Sequence, residues 1–125
     1  MNYDANTLID PKSWLAQDEN DRSESISQYH RKLKIKLPNT RLHTLFHLII
    51  ENQLAEGIKE VQDKLDELMS DGLNRHDSIH AIGCVLSEHM YSTMKEKPGN
   101  SDINKKYYNS LSKLTAQSWL NQFSR

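Results

Sequence analysis

Residues 40–55 read TRLHTLFHLIIENQLA, and the spacing within this stretch decides the fold class. Leu42, Leu45, Phe46, Ile49 and Ile50 recur at i, i+3, i+4, i+7 and i+8, the period of one face of an α-helix. Asn39 is a favourable N-cap before the stretch, and Gly57 supplies a C-terminal stop after it. A helix over about 40–55 is predicted, with its apolar stripe turned to a core.

Toward the C-terminus, Ile58, Val61, Leu65, Leu68 and Met69 form one stripe opposite Lys59, Glu60, Asp63, Lys64, Asp66 and Glu67, and Gly72 ends this amphipathic helix. Asn74 caps a longer helix in which Ile79, Ile82, Leu86, Met90 and Thr93 share a face until Pro98-Gly99-Asn100 breaks the chain. Asp102 then caps one last helix, with Tyr107, Tyr108, Leu111, Leu114, Trp119 and Leu120 as its stripe. Trp119 and Phe123 read as core aromatics.

Toward the N-terminus, Pro38 must end a helix bearing Ile26, Tyr29 and Leu33, because the residue before a proline is pushed out of the helical region. Residues 18–24 are too charged for a core and read as a connection. Asp10-Pro11 starts a short first helix carrying Trp14 and Leu15, with Asp as cap and Pro at the first position. Residues 1–9 read as a flexible N-terminus. Leu33-Lys34-Ile35-Lys36-Leu37 alternates like a strand, but five residues equally suit an extended linker entering Pro38. The expected fold is all-α. It is a single compact domain over 1–125, a bundle of about five to six helices. Three long helices form the core, with two short N-terminal helices and one C-terminal helix.

At 125 residues the chain is long enough to bury a core without disulfides or metal, so a bound metal would be functional rather than a folding requirement. A net charge of −1 gives no global attraction to nucleic acid, which is not expected as a partner. Apolar runs such as Leu48-Ile49-Ile50 are far short of a membrane span, and Met1-Asn2-Tyr3-Asp4 lacks the regions of a signal peptide. A cytoplasmic protein is expected. The single cysteine, Cys84, lies in an apolar helical pattern and reads as a packed thiol. The basic run His30-Arg31-Lys32-Leu33-Lys34-Ile35-Lys36, with Arg41 beyond, reads as a solvated charged segment, the alternative being a hold on phosphate or RNA.

Histidine carries the chemical signal. Four of the six histidines form two pairs, His43/His47 and His76/His80, each at i, i+4, which stacks two imidazoles on one helix face. Random placement gives only about 0.2 such pairs, although amphipathic helices bias the spacing. Glu51 extends the first pair to His-x-x-x-His-x-x-x-Glu and can ligate or accept a ring N–H. Gln53 and Asp77 are the nearby polar side chains able to support the ligands. Both pairs fall in the first turns of their helices, where the dipole favours the neutral imidazole that metals require. Imidazoles with at most one carboxylate favour zinc, with copper, nickel and iron as further divalent candidates, and an open coordination position would permit metal-assisted hydrolysis. The competing reading has equal weight: histidines flanking an apolar stripe that hydrogen-bond Gln53 or Glu51 and bind nothing, in a non-enzymatic module whose exposed apolar patch takes a protein partner or a second copy of the chain.

His76-Asp77 resembles the adjacent ligands of the helical HD phosphohydrolases. The apolar run that precedes the dyad in that family is missing here, and Asp77 is explained as the N3 residue of a helix capped by Asn74. A broader resemblance covers about residues 12–95. Leu37-Pro38-Asn39, Leu42-His43 through His47, Glu51-Asn52-Gln53 and Gly57, then Gly72 through Gly83, look like a family of small bacterial proteins with no assigned function. That resemblance implies a bacterial source and a compact helical fold, with motif positions at His43, His47, Glu51, Gln53, His76, Asp77 and His80. It implies no activity.

Overall fold

The computed structural model describes residues 3–32, 40–95 and 103–123, and these are all-α. Seven helices and no strand occur among the described residues: α1 Pro11–Ala16, α2 Glu19–Lys32, α3 Thr40–Ala55, α4 Lys59–Ser70, α5 Arg75–Lys95, α6 Ile103–Lys113 and α7 Ala116–Phe123. No described helix is long and apolar enough to cross a membrane. Contacts group the chain into two compact units, Met1–Ile58 and Lys59–Arg125. The Pro38 stop, the Asn39 cap, the alternating run 33–37, the Pro98-Gly99-Asn100 break and the Asp102 cap lie outside the described residues.

In the first unit, α1 and α2 each pack on α3. The core gathers Tyr3, Ala5, Trp14, Ile26 and Leu48, with Ile9, Tyr29 and Ala55 against it. Asn52 of α3 ties the helices together. Its Oδ1 accepts from the Trp14 indole N–H at 2.9 Å and from Arg22 Nη1 at 2.8 Å, so burial of the indole leaves no donor unmet. Within the segment 1–9, expected as a flexible N-terminus, Tyr3 and Ala5 lie in this core, and the Asp4 carboxylate and carbonyl accept from the amides of Asn6 and Thr7.

Three expectations are corrected. Residues 19–24 are not a connection but the first turns of α2, because Glu19 and Asp21 complement the positive end of the helix; α2 thereby reaches 14 residues and is not short. The last helix is two, since the Thr115 hydroxyl accepts from the Ser118 amide at 3.0 Å while Ser118 Oγ accepts from the Thr115 amide at 3.1 Å, a reciprocal cap that starts α7 afresh. The third concerns α3, whose buried side is Thr44, His47, Leu48, Ile50 and Glu51, whereas Leu42 and Leu45 are 43% and 40% exposed. At about 100° per residue the two sets centre on nearly opposite sides of the helix. Polar groups can occupy the inner side because Ser27 of α2 meets Thr44 there and Tyr3 meets His47 and Glu51.

The two glycine stops are as expected. Gly57 has φ +78°, and the amides of Ile58 and Gly57 close on the carbonyls of Gln53 and Leu54; Gly72, φ +106°, repeats the arrangement after α4. In the second unit α4, α5 and α6 pack mutually and α7 packs on α5. Buried Lys64 donates at 2.6 Å to Glu67 and at 2.6 Å to the Leu114 carbonyl at the end of α6, a position where a cation meets the negative end of the helix.

Candidate metal centre

Unit one holds a histidine triad rather than a pair. His30, four residues beyond core residue Ile26 on α2, is 1% exposed, as is His47 on α3; His43 is half-buried one turn before His47. Ring centroids are 4.6 Å apart for His30 and His43, 4.6 Å for His30 and His47, and 4.8 Å for His43 and His47. The ligating nitrogens of all three fall within 4.8 Å of one another.

The hydrogen bonds fix which nitrogens are available. His30 Nδ1 lies 2.9 Å from the Ile26 carbonyl, which can only accept, so Nδ1 carries the proton and Nε2 keeps its lone pair. His43 Nε2 stands 3.0 Å from that Nε2. In the metal-free protein His43 donates across this gap. Two nitrogens each about 2.0–2.1 Å from one ion would stand about 2.9–3.4 Å apart for octahedral to tetrahedral angles, so the same spacing suits a shared cation.

His47 is held differently. The Tyr3 hydroxyl donates to Glu51 Oε2 at 2.6 Å, which uses its only proton, and His47 Nδ1 lies 3.1 Å from the Tyr3 oxygen. His47 Nδ1–H therefore donates to Tyr3, leaving the Nε2 lone pair as its ligating atom. Glu51, 2% exposed, acts on His47 through the phenol.

Burial lowers the His30 pKa from its ordinary value, outweighing the raising effect of the Ile26 hydrogen bond. Because the folded state favours the neutral ring, the unfolded chain binds the proton more readily. The stabilisation is complete above the unfolded value of about 6.5 and is lost as pH falls through the depressed folded value. Urea denaturation midpoints of the metal-free protein should drop between pH 7.5 and 5.5, and less steeply in His30→Gln; parallel slopes would contradict this account.

In unit two, His76 and His80 occupy the first turns of α5, with ring centroids 4.3 Å apart and ligating nitrogens within 4.8 Å of each other. His76 is buried and His80 half-buried. The Asn74 cap is present, its Oδ1 accepting from the Asp77 amide at 2.7 Å, and Asp77 itself is half-buried at N3. Gln53 is half-buried at the C-terminal turn of α3.

Among the described residues, the five histidines able to hold a metal ion are His30, His43 and His47 of the first unit and His76 and His80 of the second. Sequence reasoning found four of them and missed His30, which opens a run of positive charge. Its signal was the i, i+4 spacing from Ile26. Tyr3 was missed because its partners lie 44 and 48 residues away. Comparison with family models, with curated proteins and with solved structures finds no match to this chain.

Proposed function

We propose that this protein binds a divalent transition metal, zinc in the first instance, through the His30, His43 and His47 triad of its first unit. The observation that carries the reading is the triad of buried and half-buried imidazoles with nitrogens within 4.8 Å, two of them with Nδ1 protonated and Nε2 left to ligate. Neutral imidazole is the ligand form, and nitrogen sets suit zinc, copper, nickel and iron better than magnesium or calcium. Glu51, engaged by Tyr3, supports His47 rather than serving as a base for a bound water, which favours metal binding over metal-assisted hydrolysis.

Untagged protein dialysed against zinc should retain it by elemental analysis and gain thermal stability that a chelator removes. A double alanine variant at His43 and His47 should lose both properties. Equal metal content in the variant and in wild type would remove the proposal.

A further inference from the structure

We infer that Tyr3 is a positioning residue for the metal centre, relaying the Glu51 carboxylate to His47 so that His47 presents Nε2 in the ligating tautomer. This rests on the metal-binding reading above.

Metal-bound histidines commonly give their second ring N–H to a carboxylate, which fixes the ring and raises its basicity. Here a phenol stands between the two. Glu51 lies one helical turn beyond His47 on α3, and the Tyr3 oxygen reaches both, at 2.6 Å to Oε2 and 3.1 Å to Nδ1. One O–H and one ring N–H allow a single directional arrangement, His47 Nδ1–H to Tyr3 and Tyr3 O–H to Glu51. The other direction would put the phenol proton on His47 and leave the carboxylate facing a bare oxygen.

The phenol is also held in place. Its ring meets Tyr29 edge-on at 5.4 Å and His47 edge-on at 6.1 Å, and lies 5.8 Å from Trp14. The residue is 7% exposed. Tyr3→Phe therefore removes the relay while keeping the packing, and Glu51→Gln keeps an acceptor for the phenol while removing the charge.

Three readouts on the full chain test the assignment: imidazole nitrogen shifts of metal-free His47 by NMR, zinc affinity by competition with a chromophoric chelator, and the metal-free urea midpoint. Wild type should show the Nδ1–H tautomer. Tyr3→Phe should show a mixture of tautomers and bind zinc roughly 10- to 100-fold more weakly, the range for partners behind a ligand, with a small midpoint shift. Glu51→Gln should keep the tautomer and lose part of the affinity. Unchanged affinity in Tyr3→Phe, or weakened affinity with the tautomer unchanged, overturns the relay. Failure of wild type to bind zinc overturns the metal reading and the relay with it, whereas zinc binding that ignores Tyr3 sinks the relay alone.

Discussion

Under the proposed metal binding, substituting His30 by alanine is expected to remove most of the stability gained on adding zinc. A ligand present at 1,000 times its Kd stabilises the folded state by about 4.1 kcal/mol, and a 100-fold loss of affinity reduces that gain to about 1.4 kcal/mol. His30 Nε2 stands 3.0 Å from His43 Nε2, and no other described group of α2 is among the metal donors there. The comparison to make is the zinc-dependent shift in urea midpoint for wild type, His30→Ala and His89→Ala. His89, on α5 against Tyr107, belongs to neither histidine group, and its variant should keep the full gain. An undiminished gain in His30→Ala would mean that His30 is not a ligand.

Trp14→Ala should cost the first unit about 3–5 kcal/mol, the range for deleting a fully buried indole or phenyl side chain. Trp14 has no exposed surface, and its ring is shared between α1, α3 and the N-terminal segment through Asn52 and Tyr3. Against a domain stability of about 5–15 kcal/mol this is a large fraction. Trp14→Phe should recover more than half of the loss, because most of the volume returns without the Asn52 bond. A urea denaturation series reads both, and a loss under about 1 kcal/mol in Trp14→Ala would mean the site collapses around the deletion more completely than its packing implies.

What could be read from residues alone follows the range of the forces involved. The span of α3, the Gly57 and Gly72 stops and the Asn74 cap are local hydrogen-bonding decisions made within about five residues, and all are found as expected. The histidine pairs were visible for the same reason: i, i+4 is a local spacing. The facing of α3 was not. Reading apolar as inward placed Leu42 and Leu45 in the core, while Thr44, His47 and Glu51 are what the fold encloses. Nothing within α3 says that Tyr3, 44 and 48 residues earlier, meets His47 and Glu51, or that Ser27 meets Thr44. His30 was obscured by its charged neighbours, although Ile26 one turn before it marked the inner face of α2.

The spacing of His47 and Glu51 by one turn has an entropic consequence. Joining three side chains distant in sequence would require two loop closures, each with its own loss of chain freedom. Because α3 already holds two of the three partners on one face, only the segment bearing Tyr3 has to be brought in, and one closure completes both hydrogen bonds. A buried polar network of this kind thus costs the chain little more than docking a single aromatic residue.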